Sequence, residues 1–329
     1  MDQTNENAPL VSVITPVYNS PDLQTAIDSV LAQTYSAIEY IIVDDHSEQF
    51  STSEVHQYIQ TRCGQNIKRF LIVRNDVNQG TVQTLNRGLQ LANGKYFFQL
   101  AGDDAFSDPT VIEDWVAAFQ KRHSLVMTAK RANYDERMEE YFGTSPSKKQ
   151  MQMIRRLSPE KLFEKLSAVN FIFGCCTAYD ADFMRRIGFY DTRYRLIEDH
   201  PMNLRLLRSG IQINFFDRVV IKYRGGGKSS HKMYDSTYEQ DSDMVFRNEV
   251  MPYTRKPRNA IFHYQRWKKQ QRQMKKYQKR QLEVQGRPLQ KALLKTQFYF
   301  SHPVKTIKII FNNPRTLKKV LGWLHREDL

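Results

Sequence analysis

Over its first hundred residues the chain alternates short apolar runs with segments whose apolar residues recur at helical spacing. Val11-Ser12-Val13-Ile14-Thr15-Pro16-Val17 stops at Tyr18-Asn19-Ser20, and Pro21 then opens a pattern with Ile27, Val30 and Leu31 on one face. Proline close to a helix start is an initiation signal, because the N–H it lacks would have no intrahelical partner there. The unit repeats. Tyr40-Ile41-Ile42-Val43 ends at Asp44-Asp45-His46-Ser47, a helix through Val55 and Ile59 follows, and Phe70-Leu71-Ile72-Val73 is the next strand. Asn78-Gln79-Gly80 leads into a helix carrying Val82, Leu85 and Leu89, which Asn93-Gly94 ends before a strand from Tyr96 to Leu100. Four apolar strands alternating with helices predict an α/β fold, a mainly parallel sheet covered on both faces, with ligands gathered at the strand C-termini.

Beyond Asp108-Pro109 a helix holds Val111, Ile112, Trp115, Val116 and Phe119, and Leu125-Val126-Met127 reads as a further strand. The segment 130–170 is a mixed connection with helical stretches near Met151-Ile154-Leu157 and, after Ser158-Pro159, through Leu162-Phe163-Leu166. Pro201 and Gly210 bracket a short helix, which places Asp199 at or just before its N-terminus. Strands around 211–216 and 219–223 precede Arg224-Gly225-Gly226-Gly227-Lys228-Ser229-Ser230-His231, read as a mobile basic loop. From about Tyr253 the pattern is of several short helices punctuated by Pro257, Gly286-Arg287-Pro288, Pro303 and Pro314.

A chain of 329 residues, 40% apolar, can bury one large core plus an appendage. Three cysteines, two of them the neighbours Cys175 and Cys176, make no disulfide framework and read as core thiols in a reducing compartment. With a polar N-terminus and no run near the roughly 20 apolar residues of a membrane span, the expected location is the cytoplasm.

Charge divides the chain: residues 253–329 carry 20 Lys and Arg against 3 acids, whereas residues 1–252 carry 29 against 32. The whole positive excess therefore sits in the last 77 residues, and the expected domains are a catalytic 1–252 and a basic amphipathic 253–329. There Ile261-Phe262, Tyr264 and Trp267 interleave with Arg266, Lys268, Lys269, Arg272, Lys275 and Lys276. Such helices lie in anionic membrane interfaces, where each basic residue contributes about 1 kcal/mol. The expectation is peripheral attachment to the inner face of the cell membrane; the alternative is helices packed on the body with solvated outer faces.

Candidate chemistry centres on Asp103-Asp104, directly after the run ending at Leu100. Alone the pair could be turn residues. A second acidic strand end, Asp44-Asp45, favours a shared ligand. A nucleoside diphosphate would repel bare carboxylates unless Mg²⁺ or Mn²⁺ lay between, and such cations take one or two carboxylates plus phosphate. Asp45 could accept hydrogen bonds from a base or ribose. Gly225-Gly226-Gly227-Lys228-Ser229 is not a P-loop, since position 222 is Lys where that motif needs Gly. It reads as a lid whose Arg224, Lys228 or His231 reaches the diphosphate, or else as an exposed turn.

These residues resemble the family 2 glycosyltransferases of GT-A fold, especially those building bacterial capsular polysaccharides and exopolysaccharides. The likeness lies in Val11 to Asn19, Ile41 to Ser47, Asn78-Gln79-Gly80 to Gly88, Asn93-Gly94-Lys95-Tyr96, Asp103-Asp104, and Arg186 to Asp191 followed by Ile197-Glu198-Asp199-His200-Pro201. It implies that Pro16, Tyr18 and Asp45 hold the nucleotide, commonly uridine diphosphate, that Asp103 contacts ribose or diphosphate, and that Asp104 binds Mn²⁺ or Mg²⁺. It implies Asp199 as general base and places Glu198 on the acceptor side. The implied reaction moves a sugar, with inversion, from a nucleotide-sugar donor to a saccharide or lipid-linked saccharide in cell-surface polysaccharide synthesis. The chain departs from the pattern at Ala101, where an Asp is frequent, at His46, where Gly is usual, and at Thr84-Leu85-Asn86 in place of Ala-Arg-Asn. Alternatives are a nucleotidyltransferase, disfavoured by Pro16-Val17-Tyr18-Asn19 where a triphosphate-binding Gly-rich loop belongs, or a nucleic-acid-binding protein using the basic tail.

Overall fold

A computed structural model describes residues 8–225 and 235–283. Its first half is the expected βα series: β1 (Val11–Val17), α1 (Leu23–Leu31), β2 (Ile38–Asp44), α2 (Thr52–Gln60), β3 (Ile67–Arg74), α3 (Thr81–Leu91) and β4 (Tyr96–Gln99). Then come β5 (Ala105–Phe106), α4 (Val111–Arg122), β6 (Val126–Tyr134), β7 (Tyr141–Ser145), α5 (Lys148–Arg156), α6 (Pro159–Leu166), β8 (Thr177–Asp180), α7 (Ala181–Ile187), α8 (Asp199–Arg208), β9 (Asn214–Arg224), α9 (Ser236–Val245) and α10 (Pro257–Glu283).

The nine strands among the described residues join one sheet in the order β3-β2-β1-β4-β8-β6-β9-β5, with β7 on β6. The half from β3 to β4 is parallel; β8 then enters antiparallel between β4 and β6, and β9 runs parallel to β6. Both faces are covered, which is why β1 and β2 read as continuous apolar runs rather than as alternating ones. Val13, Tyr40, Ile42 and Phe98 pack with Trp115 and Phe119 on one side. Ile14, Ile41, Val43 and Phe97 pack with Leu85, Leu89 and Leu204 on the other.

The two strands expected around 211–216 and 219–223 are one strand. Thr128 of β6 pairs with Phe215 and Lys130 with Val219, so the polar Asp217 and Arg218 lie in an irregularity that bulges from the ladder. Asp217 pairs there with Lys130 at 2.8 Å and with Arg155. The hairpin strand β7 escaped detection because its residues are exposed or half-buried and carry no alternating signal.

The first part of the basic tail is one 27-residue helix rather than several short ones. Its start docks on the body: Ala260 is buried in the main core, Tyr264 stacks on Phe246 with centroids 3.9 Å apart, and Lys268 pairs with Glu239 and Asp243. Expected helices beyond 283 lie outside the described residues. Among the described residues no helix is long and apolar enough to cross a membrane.

The opposite end of the sheet is tied by a buried acid. Glu39 accepts hydrogen bonds from Ser12 Oγ (2.6 Å), Asn93 N (2.7 Å), Asn93 Nδ2 (2.9 Å) and Arg69 Nη1 (3.0 Å), joining β1, β2, β3 and the exit of α3. Truncating one member of such a network strands buried donors. Glu39→Ala is therefore expected to cost about 3 kcal/mol in chemical denaturation; a cost below about 1 kcal/mol would contradict this role.

Candidate active site at the C-terminal edge of the sheet

One cleft of about 1610 Å³ runs along the C-terminal ends of the parallel strands and is lined by Pro16, Tyr18, Asp45, Asp103, Asp104, Glu198 and Asp199. The structure thus brings together every described residue to which a site role was assigned, Arg224 included, whereas Asp44 is buried outside the lining and pairs with Arg74 at 3.2 Å. Lys228 and His231 lie outside the described residues.

On the β1–β2 side the loops are locked to one another. Asn19 N donates to Ser47 Oγ (2.8 Å), and Glu48 N donates to Asn19 Oδ1 (2.9 Å). His46 has φ 64°, in the left-handed region, which accounts physically for glycine being the usual residue there. Asp45 is almost fully buried and accepts from Asn75 Nδ2 (2.8 Å), Gln79 N (2.7 Å) and Gly80 N (2.7 Å). Its carboxylate thereby holds the N-terminal loop of α3 while lining the cleft. Gly80, at φ 88°, is needed: a Cβ there would come within 2.6 Å of the Arg195 carbonyl oxygen.

Asp103 and Asp104 occupy a turn fixed from both sides. Gly102 N donates to Pro16 O (3.2 Å) and Ser20 Oγ to Gly102 O (2.7 Å), while β5, immediately after the pair, is laddered to β9. The last residue of β9 completes the clamp: Arg224 N donates to Asp104 Oδ1 (2.9 Å), and Arg224 Nε donates to Asp103 O (2.9 Å). The same guanidinium reaches Glu136 O at 2.8 Å and Asp22 at 3.3 Å. Arg224 is therefore a fixed strap at a strand end, not part of the loop the sequence suggested. Burial pushes the Asp104 carboxyl well up from its ordinary value, and the adjacent Asp103 adds to the shift. Burial raises Asp103 too, against the opposing pull of Arg224.

Such a carboxylate pair is the kind of site a divalent cation relieves, but it is sparse. Among the described residues no three His, Cys, Asp or Glu side chains gather to hold a metal alone. The pair suits Mg²⁺ or Mn²⁺ when phosphate oxygens supply the remaining ligands. Of the expected core thiols Cys176 is buried, whereas Cys175 is half-buried and lines the cleft.

Helix α8, which also lines the cleft, begins at Asp199. Asp199 Oδ2 accepts from Asn170 Nδ2 and Gly174 N, both at 3.1 Å. Glu198 Oε1 accepts from Gln99 Nε2 (3.3 Å), whose own oxygen accepts from Tyr190 OH (2.8 Å). Burial, with the Asp199 charge beside it, pushes Glu198 up to about 8. Burial raises Asp199 as well, opposed first by His200. The imidazole of His200 is shifted down by burial, and its Nε2 lies 2.9 Å from the Leu166 carbonyl, so it is a neighbour rather than a participant. Gly174 lets the backbone close on this pair, since a Cβ would fall 2.3 Å from Gln99 Nε2 and 2.4 Å from Glu198 Oε1.

Sequence reasoning missed Gln99, Asn170, Gly174 and Asp241. A lone amide in the apolar run Phe97-Phe98-Gln99-Leu100 was a usable signal for the first. Asp241, on α9, carried none. Its Oδ2 accepts from the consecutive backbone N–H groups of Arg195 (2.9 Å), Leu196 (2.6 Å) and Ile197 (3.1 Å), immediately before Glu198. The same loop meets the entrance of α3, where Arg195 Nη2 donates to Asn78 O (2.9 Å) and Val82 N to Arg195 O (3.2 Å). Asp241→Ala orphans three donors and is expected to cost about 2–3 kcal/mol in denaturant melts, hydrogen bonds to charged groups being the stronger class. Asp241→Asn, which keeps an acceptor oxygen, should recover at least half of that loss; equal losses would show that the acceptor is not what matters.

The glycosyl transferase family 2 model matches residues 12–188. A Rickettsia typhi protein described as an uncharacterized glycosyltransferase is 29% identical over 225 residues, 67% of this chain and 65% of that one, so the chain spans just under two thirds of that relative's length. A PGL/p-HBAD biosynthesis glycosyltransferase of Mycobacterium tuberculosis is 25% identical, over 70% of this chain and 83% of its own. Among solved structures, S. aureus TarS residues 1–349 in complex with UDP-GlcNAc shares the fold with a TM-score of 0.52 at 18% identity, over 76% of this chain and 69% of that one. With the family model covering more than half of its length, and an acid-lined cleft where that family's motifs fall, the chain belongs to glycosyl transferase family 2.

Proposed function

We propose that this glycosyltransferase moves a sugar from a uridine diphosphate donor to a hydroxyl of a saccharide or lipid-linked saccharide, with inversion, in the synthesis of a cell-surface glycan. The observation that carries the reading is the placement of two acidic pairs in one cleft, Asp103-Asp104 after β4 and Glu198-Asp199 at the start of α8. The reported complex of TarS with UDP-GlcNAc supports the choice of nucleotide, and the named biosynthetic role of the mycobacterial relative supports the choice of product class.

Pro16, Tyr18 and Asp45 would hold the nucleoside, and Asp103 with Asp104 would hold Mn²⁺ or Mg²⁺ against the diphosphate. That cation supplies charge neutralisation of the leaving group. Asp199 would take the proton of the attacking hydroxyl. Its two hydrogen bonds, from Asn170 and Gly174, fix one carboxylate oxygen and so aim the group. Attack from an Asp199 side with departure on an Asp104 side would make the displacement in-line, which would invert the anomeric centre.

The cleft exceeds the roughly 300–1,000 Å³ of a single small-molecule site, which leaves room for two substrates. It is lined as well by Phe246, His263, Tyr264 and Trp267, aromatic side chains suited to an acceptor sugar. Exposed Arg266, Lys269, Arg272 and Lys276 continue along α10, and they support contact with an anionic membrane surface carrying a lipid-linked acceptor.

Release of UDP from UDP-GlcNAc, used as a probe donor, is expected to require Mn²⁺ or Mg²⁺. It should fall at least about hundredfold in Asp199→Asn, the lower end of what a positioned general base contributes, with UDP binding retained. Unchanged turnover in that variant would overturn the assignment.

The pH profile tests the same pair. Because folding raises both carboxyls, the base form of Asp199 is gained only as pH rises through a value above that of an ordinary aspartate. The acid limb of kcat/KM should therefore lie above the normal carboxylate range. Glu198, pushed up to about 8, is uncharged over that range, so Glu198→Gln should leave the limb in place; a limb that moves to lower pH in this variant would contradict the assignment.

A further inference from the structure

We propose that Arg131 is an anion-binding residue of the donor site, taking either a phosphate of the diphosphate or a carboxylate carried on the transferred sugar; the inference rests on the donor reading above. Arg131 projects from β6 into the cleft that Asp104, Gly174 and Asp199 also line. Its guanidinium carbon lies 3.9 Å from the Phe173 ring centroid and 3.7 Å from that of Tyr223, so the planar fork is pinned between two aromatic faces. Such a fork is oriented in advance for bidentate recognition of a carboxylate or phosphate.

Its donors are nearly unused. A guanidinium offers five N–H groups. Among the described residues this one makes a single hydrogen bond, from Nη1 to Cys175 Sγ at 3.8 Å, and its buried Nε has no partner. No carboxylate lies within ion-pair distance of it among the described residues; Asp104, the acid that attracts it, is already engaged by Arg224 N. A half-buried cation held rigidly with idle donors is costly unless an anion completes it.

The sheet order indicates which part of a ligand would arrive there. Asp45 follows β2, Pro16 and Tyr18 lie at the end of β1, Asp103-Asp104 follow β4, and Arg131 lies on β6 beyond β8. Four strand spacings separate β2 from β6, roughly 19 Å at about 4.8 Å each. An extended nucleotide sugar with its base at β2 and its diphosphate at β4 would bring the sugar, or the phosphate next to it, to Arg131.

The test is calorimetric titration of the full chain, with Mn²⁺ present, using UDP, UDP-glucose and UDP-glucuronic acid against wild type, Arg131→Met and Arg131→Lys. At least a tenfold loss is expected in Arg131→Met: for all three ligands if the diphosphate is the anion, for UDP-glucuronic acid alone if it is a sugar carboxylate. Arg131→Lys, which keeps the charge but not the fork, should lose at least threefold on the same ligand, and it decides the matter if the Met variant does not fold. Unchanged affinities for all three ligands would overturn the inference alone. Failure of UDP to bind wild type would overturn the donor reading and this inference with it.

Discussion

The structure is organised around carboxylates crowded into one cleft and partly withdrawn from solvent. Four carboxylates, Asp103, Asp104, Glu198 and Asp199, line one cleft, and burial raises the proton affinity of all four. Crowding of this kind is unfavourable for the empty protein, and it is tolerated because the chain's own N–H groups are aimed at the acids. Arg224 N serves Asp104, Gly174 N serves Asp199, and Gln99 serves Glu198. A cation and a diphosphate would relieve the first pair; a substrate hydroxyl would meet the second. The stored charge is what makes the site receptive.

Holding those acids requires segments distant in sequence. Arg224 comes from the end of β9, and Asp241 comes from α9. Asp241 grips the loop 195–197, which in turn touches Asn78 and Val82 at the α3 entrance that Asp45 holds. The part of the cleft around Asp45 and the part around Glu198-Asp199 are thus joined through one short loop. Helix α9 is more than a spacer before the basic tail, because Asp241 supplies part of the support of the candidate site.

Legibility followed the physics of each element. The strands from β1 to β4 were readable because burial on both faces leaves continuous apolar runs, and the acids at their ends stand out against them. Asp199 was locatable from its place before Pro201. The half built by β6, β7, β8 and β9 was harder, since it is antiparallel in part, interrupted by the bulge at Asp217-Arg218, and edged by an exposed hairpin. Asp241 could not be found at all: an acid on a half-polar helix looks like a solvated one until the fold turns it onto three backbone N–H groups. Arg224 was assigned to the wrong element because the glycines after it dominate the local pattern.

The most direct test of this account is the melting temperature of Asp104→Asn with and without UDP and Mn²⁺. Asn keeps the oxygen that accepts from Arg224 but removes the buried charge. The apo variant should melt about 2 °C or more above wild type, roughly the shift produced by 1 kcal/mol in a chain of this size. UDP with Mn²⁺ should raise the melting temperature of wild type and not that of the variant. An apo variant that melts lower than wild type, yet is still stabilised by UDP and Mn²⁺, would contradict the claim that Asp104 is a strained charge awaiting a cation.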